Sequence, residues 1–218
     1  MKIRYLGHAA FELVTSSGTK VVFDPYESGS YDGALGYGPI TDAYDLAVVS
    51  HDHPDHCCGD VTSKAGKVID SAGSFDHEGI KVATFPTFHD ETQGSERGKN
   101  LVTIVEVDGL RIAHLGDLGH PLAESDIPSL AGVDVLLVPV GGFFTIDAKI
   151  AAETIAMIGP RLVIPMHFKT PKIGFPIAPV DEFTAMMEHV EKAGASEITV
   201  SKGNLPDGVK VIVLDPAL

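Results

Sequence analysis

Short runs of β-branched and apolar residues recur along the chain, and this pattern restricts the fold more than any other feature of the sequence. Glycine, proline and aspartate separate the runs, which is typical of strands joined by tight turns. The predicted strands cover residues 2–6, 10–14, 20–23, 46–50, 67–70, 81–85, 101–107, 111–115, 133–138, 161–165, 197–201 and 209–214. The first three predict an antiparallel meander, and Asp108-Gly109 predicts a hairpin.

Two segments late in the chain carry a helical period instead. Residues 147–158 repeat apolar side chains at helical spacing before Gly159-Pro160, and residues 180–193 place four apolar side chains on one face. Strands therefore dominate in two groups, and the helices come late. An α+β fold, with two sheets packed together and helices outside, accommodates this pattern. Without a repeat or a linker, we expect a single domain over residues 1–218.

Charge and hydropathy exclude several classes of partner. The chain has 16 basic and 30 acidic residues, a net charge of −14, and no run of Lys or Arg, which argues against nucleic acid. No stretch approaches the ~18–20 apolar residues that span a bilayer, and the first residues predict a strand rather than a signal peptide. Cys57 and Cys58 are adjacent, which disfavours a disulfide and points to the cytoplasm. We expect a small-molecule partner, and a homo-oligomer stays open.

The predicted strand over residues 46–50 ends at a cluster of imidazoles and carboxylates that forms an HxHxDHxxG pattern. The pattern comprises His51, Asp52, His53, Pro54, Asp55, His56 and Gly59. Three imidazoles and two carboxylates suit a divalent metal. His51 and His53 point to one side of an extended chain, while Asp55 and His56 can face a second position. Two metals about 3.5–4 Å apart recur in hydrolytic sites. A merely solvated polar turn is the weaker alternative.

HxHxDHxxG resembles the main motif of the metallo-β-lactamase fold superfamily of metal-dependent hydrolases. Further positions of that pattern follow in order, namely Asp24 after an early strand, His89, Asp117 in Gly116-Asp117, and His167. The resemblance spans residues 3–167. It implies a four-layer αβ/βα sandwich, in which two mixed β-sheets pack face to face with helices outside.

The resemblance also implies which residues bind metal. The first site would use His51, His53 and His89; the second would use Asp55, His56 and His167; Asp117 would bridge them. Asp24 would orient the motif loop. The implied cofactors are two divalent metal ions, with zinc the default for a histidine-rich site and manganese or iron compatible with the same donors.

Within the superfamily, the chain resembles the branch that includes L-ascorbate-6-phosphate lactonase. The matching stretches are LGHAAF at residues 6–11, GKN at 98–100 and HLGDLGH at 114–120. The long helical insertions of the nucleic-acid-processing branch do not fit into 218 residues.

The implied activity is hydrolysis by a hydroxide held between two metals, with Asp117 and Asp55 as catalytic residues. The substrate is either an ester or lactone, or a phosphoester, including nucleotide or lipid phosphodiesters. A non-catalytic metal-binding interaction module is an alternative from another class. A di-iron O₂- or NO-reducing protein is a further one, but that variant carries Glu where this chain has His53.

Several polar residues near the motif have two interpretations each. His8 and His120 are candidates for protonating the leaving group or for contacting substrate, and for His8 the alternative is packing within a tight turn. His114 lies in an apolar strand and is expected to be hydrogen-bonded in the core. Asp52 and Asp90 either accept the N–H of the adjacent histidine or are solvated acids.

Two segments are candidates for the wall of the substrate pocket, residues 27–39 and residues 169–176. Lys169 and Lys172 stand there in an acidic chain, which suggests an anionic group on the substrate. The alternative is that both are solvated lysines.

Overall fold

The computed structural model describes residues 1–218 and places them in two mixed sheets with few helices. The strands are β1 (Lys2–Gly7), β2 (Ala10–Val14), β3 (Lys20–Phe23), β4 (Leu46–Val48), β5 (Lys67–Ile69), β6 (Gly73–His77), β7 (Ile80–Phe88), β8 (Lys99–Val107), β9 (Leu110–His114), β10 (Val135–Pro139), β11 (Leu162–Met166), β12 (Val190–Lys192), β13 (Glu197–Thr199) and β14 (Lys210–Val213). The helices are α1 (Gly59–Thr62), α2 (Ala148–Ile158) and α3 (Val180–Thr184), and a 3₁₀ turn covers Ile127–Leu130.

The first sheet has six strands in the order β13-β1-β2-β3-β4-β5, and the second has eight in the order β12-β14-β11-β10-β9-β8-β7-β6. In the first sheet β1, β2 and β3 form the predicted antiparallel meander, while β3, β4 and β5 run parallel. In the second, β6 to β9 run antiparallel, and β9, β10, β11 and β14 run parallel. The predicted pair of mixed sheets is confirmed.

Side-chain alternation along the strands assigns each face of the first sheet to a different apolar cluster. Val21 and Phe23 belong to a core of 42 buried residues that draws on both sheets. Val22, between them, belongs to a cluster of 12 buried residues that includes Tyr26 and Tyr37. The segment after β3 therefore packs apolar side chains onto the outer face of this sheet.

The first predicted helix is confirmed. It begins after Asp147, whose carboxylate accepts a hydrogen bond of 2.9 Å from the backbone N–H of Ile150, and ends at Gly159 with φ 65°. None of the helices combines the length and the apolar content that a membrane crossing needs.

The second predicted helix, over residues 180–193, is wrong beyond Thr184. The chain leaves α3 there, and β12 pairs in parallel with β14 at the edge of the second sheet, with Val190 opposite Val211. The apolar residues that suggested a helical face include a β-branched valine that suits a strand. Pairing with an existing sheet edge outweighs a weak local helix propensity.

The ends of several strands position the predicted site residues. The histidine motif follows β4, His89 follows β7, Asp117 lies three residues beyond β9, and His167 directly follows β11. His8 lies in the turn between β1 and β2. Polar side chains that follow strand ends lie outside the apolar core, where they can form a site.

Candidate metal centre

Four imidazoles surround one carboxylate oxygen where these strand ends meet. Oδ2 of Asp117 lies 3.1 Å from Nε2 of His56, 3.2 Å from Nε2 of His89 and 3.3 Å from Nε2 of His167. Nε2 of His51 is 4.0 Å from the same oxygen. The Asp117 carboxylate is almost completely buried. Three separate parts of the sequence, namely the histidine motif, His89 and His167, therefore converge on this single side chain.

The donor atoms divide into overlapping groups. One nitrogen from each of His51, His53 and His89 lies within 4.8 Å of the others. A second group with the same spacing consists of His8, Asp55, His56 and His167. A third group, of His51, His56 and Asp117, shares His51 with the first group and His56 with the second. The structure thus brings all seven predicted ligands together and adds His8 to the second group. That these residues bind metal stays a prediction.

Several of these polar atoms are buried without a hydrogen-bond partner, which tests whether the residues fit a metal. The unpartnered atoms include Nε2 of His51, Nε2 of His56 and Oδ1 of Asp117. Buried polar atoms are almost always hydrogen-bonded in folded proteins, so a cluster of exceptions needs an explanation. Imidazole nitrogens and carboxylate oxygens are donors that zinc, manganese and iron accept. The residues present therefore fit a divalent cation.

Asp24 determines which nitrogen of His56 faces the site. Its Oδ2 accepts hydrogen bonds from Nδ1 of His56 at 2.8 Å and from the Ser50 hydroxyl at 2.7 Å, and its Oδ1 accepts from the Ser50 backbone N–H at 2.7 Å. The Ser50 oxygen in turn lies 2.9 Å from Nδ1 of His51. Both imidazoles thus carry a proton on Nδ1 and direct Nε2, the nitrogen that a metal would bind, toward Asp117.

The carboxylates create a strongly negative field. Burial alone would raise the pKa of Asp117, but the imidazoles of His167, His56 and His89 hold it well below its usual value. Burial alone would lower the pKa of His56, but the carboxylates of Asp117 and Asp55 raise it well above its usual value. Without metal, His56 therefore holds a proton beside the two carboxylates. A divalent cation that binds there would displace this proton.

The pKa values of His51 and His53 lie below the usual value of histidine. Burial and the neighbouring His56 lower the pKa of His51 to about 3. Burial, together with the nearby His89, also lowers the pKa of His53. Neutral imidazole is the form that binds metal, so the site needs little deprotonation at these positions.

The structure places His8 in the cluster, and its turn is also tightly packed. Nε2 of His8 lies 3.1 Å from Oδ2 of Asp55, and the ring is completely buried. The carbonyl of His8 accepts hydrogen bonds from the Tyr5 hydroxyl at 2.9 Å and from the His167 backbone N–H at 2.8 Å. The other carboxylate oxygen of Asp55 accepts from the Tyr31 hydroxyl at 3.0 Å. His8 and Tyr31 thus hold Asp55 from two sides.

The structure does not bring His120 to the cluster, and its predicted catalytic role is not supported. Its Nε2 accepts a hydrogen bond of 3.2 Å from the Phe88 N–H, and its Nδ1 donates one of 2.8 Å to the Pro121 carbonyl. The main chain thus occupies both ring nitrogens. His114 is hydrogen-bonded in the core as expected, with Nε2 2.9 Å from the Ala9 carbonyl.

A cavity of about 480 Å³ opens onto the cluster. Its lining residues are Tyr31, His53, Asp55, His89, Arg97, Asp117, Phe144, His167 and Phe175. Tyr31 and Phe175 come from the two segments that were predicted as pocket walls.

The predicted roles of the lysines are not supported. Nζ of Lys169 donates a hydrogen bond of 2.7 Å to the Phe175 carbonyl, and Nζ of Lys172 lies 6.0 Å from the centre of the Tyr37 ring. Neither lysine lines the cavity, whose cationic side chain is Arg97.

The sequence reasoning missed Arg97, Phe144 and the structural role of Asp90. Asp90 accepts hydrogen bonds from the loop that follows it rather than from His89. An aspartate two residues before Thr92 in a glycine-containing segment is a signal for such a turn. The Asp52 side chain is exposed and makes no hydrogen bond in the structure.

Comparisons with known proteins agree with the fold and the motif. The family model described as Beta-lactamase superfamily domain matches residues 2–167. The UPF0173 metal-dependent hydrolase of Thermococcus onnurineus is 31% identical over 196 residues, which cover 78% of this chain and 85% of that protein. A counterpart in Carboxydothermus hydrogenoformans is 32% identical over 197 residues, with coverage of 78% and 85%.

Solved structures give the same result. A metallo-beta-lactamase superfamily protein from Thermotoga maritima has a TM-score of 0.79 and 32% identity, covering 98% of this chain and 97% of that chain. A metallo hydrolase from Ignicoccus hospitalis has a TM-score of 0.66 at 22% identity, covering 99% and 95%, and shares the fold.

Proposed function

This chain belongs to the metal-dependent hydrolases of the beta-lactamase superfamily, and on that premise we propose that it uses two divalent metal ions to hydrolyse an ester, lactone or phosphoester bond in a small anionic substrate. The proposed ligands are His51, His53, Asp55, His56, His89, Asp117 and His167. The observation that carries the proposal is the convergence of four imidazoles on Oδ2 of Asp117, with buried donor atoms left unpartnered.

Two bound divalent cations would supply a deprotonated water as nucleophile and would polarise the substrate oxygen that gains negative charge. The chain's own residues prepare the site for this. Oδ2 of Asp117 lies beside imidazoles of both groups of donors, and Asp24 accepts a hydrogen bond from Nδ1 of His56, so that Nε2 faces the site. The lowered pKa values of His51 and His53 keep positive charge away from these two positions, which favours binding of cations.

His8 acts in this scheme on Asp55 rather than on the substrate. Its ring is fully buried, and its Nε2 lies within hydrogen-bond distance of Oδ2 of Asp55. His8 is also not among the residues that line the cavity. His8 is therefore a positioning residue that holds the carboxylate in place together with Tyr31.

Aromatic side chains form the apolar part of the cavity wall. Tyr31, Phe144 and Phe175 line it beside the polar cluster. Such a wall displaces water from the reacting groups when a substrate enters, which strengthens the electrostatic interactions there.

The proposal is tested by elemental analysis of protein purified without added metal, read beside hydrolysis of a γ-lactone and of bis(4-nitrophenyl) phosphate. The double variant His51→Ala/His53→Ala should lose metal and hydrolysis of both compounds. The core of 42 buried residues does not include these side chains, so circular dichroism should show a folded protein. The control variant is His189→Ala, which removes an exposed imidazole far along the sequence.

The outcomes separate the alternatives. Hydrolysis of the lactone but not the phosphodiester identifies a lactonase or esterase, and the reverse identifies a phosphodiesterase. Bound metal without hydrolysis of either compound favours a non-catalytic metal-binding module. Unchanged metal content in the double variant contradicts the assignment of the ligands.

A further inference from the structure

Arg97 lines the cavity, and its guanidinium has no hydrogen-bond partner in the chain. Its Cζ lies 5.6 Å from the centre of the Phe144 ring, and the side chain is 33% exposed. The guanidinium makes no hydrogen bond within the protein. The nearest carboxylate oxygen, on the mostly exposed Glu96, is 4.0 Å away. The N–H donors of Arg97 are therefore available to a molecule in the cavity.

The backbone around Arg97 is held in place by a buried carboxylate. Oδ2 of Asp90 accepts hydrogen bonds from the N–H groups of Glu96 at 3.0 Å and Arg97 at 2.8 Å. Its Oδ1 accepts from Thr92 N–H at 2.8 Å, the Thr92 hydroxyl at 2.9 Å and Gly94 N–H at 2.7 Å. Only 3% of Asp90 is exposed. Because Asp90 directly follows His89, this network fixes the loop that carries Arg97 relative to the metal centre.

The charge balance of the chain makes the surroundings of Arg97 informative. The chain carries a net charge of −14, yet the nearest carboxylate oxygen to this guanidinium is 4.0 Å away, on the mostly exposed Glu96. Arginine binds carboxylate and phosphate through parallel N–H donors in its planar head group. A bound substrate with an oxyanion would give this guanidinium the partner that the chain does not provide.

The aromatic side chains form a continuous wall beside Arg97. The ring centres of Tyr31 and Phe175 are 5.4 Å apart, those of Phe175 and Phe144 are 5.8 Å apart, and those of Phe144 and Phe143 are 4.7 Å apart. All three contacts are edge-to-face, and Phe143 is 63% exposed. Exposed apolar surface next to a polar cluster is typical of a binding groove.

We infer that the substrate is amphiphilic: a carboxylate or phosphate group contacts Arg97, and an aromatic or aliphatic portion packs on Phe144, Phe175 and Tyr31. The inference rests on the proposed function, because it concerns the cavity at the same metal centre. Arg97 is then a specificity-determining residue. The anionic group of the substrate binds to the loop after His89 and not to Lys169 or Lys172.

Binding of small probes to zinc-loaded protein tests the inference without requiring turnover. Benzylphosphonate carries both features, methylphosphonate carries only the anion, and benzyl alcohol carries only the ring. Phenylacetate replaces the phosphonate with a carboxylate. Dissociation constants are measured by calorimetry for the wild type, Arg97→Gln, Arg97→Lys and Phe144→Leu. The control Lys172→Gln removes one positive charge outside the cavity.

Arg97→Gln should weaken benzylphosphonate and methylphosphonate by about tenfold or more, since a hydrogen bond to a charged group is lost, and should leave benzyl alcohol unchanged. Arg97→Lys should recover part of the loss. Phe144→Leu should weaken benzylphosphonate, phenylacetate and benzyl alcohol, and should spare methylphosphonate. Lys172→Gln should match the wild type. A larger Arg97 effect on benzylphosphonate than on phenylacetate identifies a phosphate as the anion, and the reverse identifies a carboxylate.

Arg97→Gln binding both phosphonates within about twofold of the wild type would overturn the inference, as would benzylphosphonate binding no more tightly than methylphosphonate. Failure of the proposed function gives a different result. If the binding pattern is found but neither the lactone nor the phosphodiester is cleaved, the hydrolytic proposal fails alone. If hydrolysis occurs and Arg97 has no effect on binding, only the amphiphilic substrate is rejected.

Discussion

Nδ1 of His56 donates a hydrogen bond of 2.8 Å to Oδ2 of Asp24, a carboxylate that also accepts from Ser50 and is almost fully buried. The proton of a neutral imidazole can occupy only one of the two nitrogens. With Nδ1 protonated, Nε2 of His56 is free to act as a donor to metal, 3.1 Å from Asp117. A residue in an early loop thus controls the chemistry of a histidine 32 positions later.

Asp24→Asn should weaken zinc binding by about 10–100-fold, because the amide can present N–H to His56 and favour the wrong tautomer. Competition with a chromophoric chelator measures the affinity. The control is Asp52→Asn, which changes an exposed carboxylate inside the motif that makes no hydrogen bond. Equal zinc affinity in Asp24→Asn and the wild type would show that the tautomer of His56 is set by another group.

Asn100 positions Asp117 from within the core. Its Oδ1 accepts a hydrogen bond of 2.9 Å from the Asp117 N–H, and its Nδ2 donates to the Thr87 hydroxyl at 2.8 Å and the Leu115 carbonyl at 2.9 Å. Asn100→Ala leaves these buried groups without partners and should lower the free energy of unfolding by about 2–4 kcal/mol. Urea denaturation measures this. The control Asn204→Ala removes exposed side-chain hydrogen bonds and should cost clearly less, so equal losses would contradict the argument.

The strand patterns predicted two packed groups of strands, and the resemblance to the superfamily implied the mixed sheets and the residues that converge on Asp117. Strand patterns depend on local alternation, and the meander formed by β1, β2 and β3 needs only short connections. The predicted ligands lie in the segments that follow β4, β7, β9 and β11. Once these strands are predicted, the ligands are expected at the edge of the core. The histidine motif is dense enough to indicate metal chemistry without the fold.

The sequence was insufficient where a tertiary partner decided the outcome. Val190 shares the spacing of a helical face, but its backbone pairs with Val211 at a sheet edge that no local pattern reveals. Lys169 lies in a segment predicted as a pocket wall, and its charge suggested an anionic group on the substrate, yet it donates to the Phe175 carbonyl. Arg97 lies at the cavity because hydrogen bonds to Asp90 fix the loop between these two residues. The amino-acid sequence does not reveal which backbone N–H groups a single carboxylate will bind.

Asp108, which lies away from the candidate metal centre, should make the free energy of unfolding depend on pH. Partial burial would raise the pKa of Asp108, but the Ser16 hydroxyl at 2.6 Å, the Ser16 N–H at 2.7 Å and the chain's amino terminus hold it below its usual value. A carboxylate with a depressed pKa in the folded state stabilises the protein above its unfolded pKa of about 3.9, and the contribution is lost as the pH falls through the folded pKa.

Asp108→Asn keeps a residue that tolerates the left-handed φ of 54° at this hairpin but removes the charge. It should lower the free energy of unfolding by about 1 kcal/mol at pH 7, and the difference from the wild type should shrink as the pH falls below about 4. Urea denaturation of metal-free protein at several pH values measures this without interference from metal release. Asp76→Asn, in another hairpin, is the control with a single hydrogen bond of 3.3 Å. A difference that stays constant with pH would show that the charge of Asp108 does not contribute.

Asp90→Ala should loosen the loop that carries Arg97 without disturbing the adjacent strands. The N–H groups of Gly94, Glu96 and Arg97 each donate to this carboxylate, so their protection from hydrogen exchange should fall by about tenfold or more. Amides within β8 are held by strand pairing and should keep their protection.

Because the loop then no longer positions the guanidinium, affinity for benzylphosphonate should fall in the same direction as in Arg97→Gln. The control Glu91→Ala changes the neighbouring exposed carboxylate and should leave both measurements unchanged. Loss of exchange protection with unaltered benzylphosphonate affinity would show that the order of this loop does not contribute to anion binding.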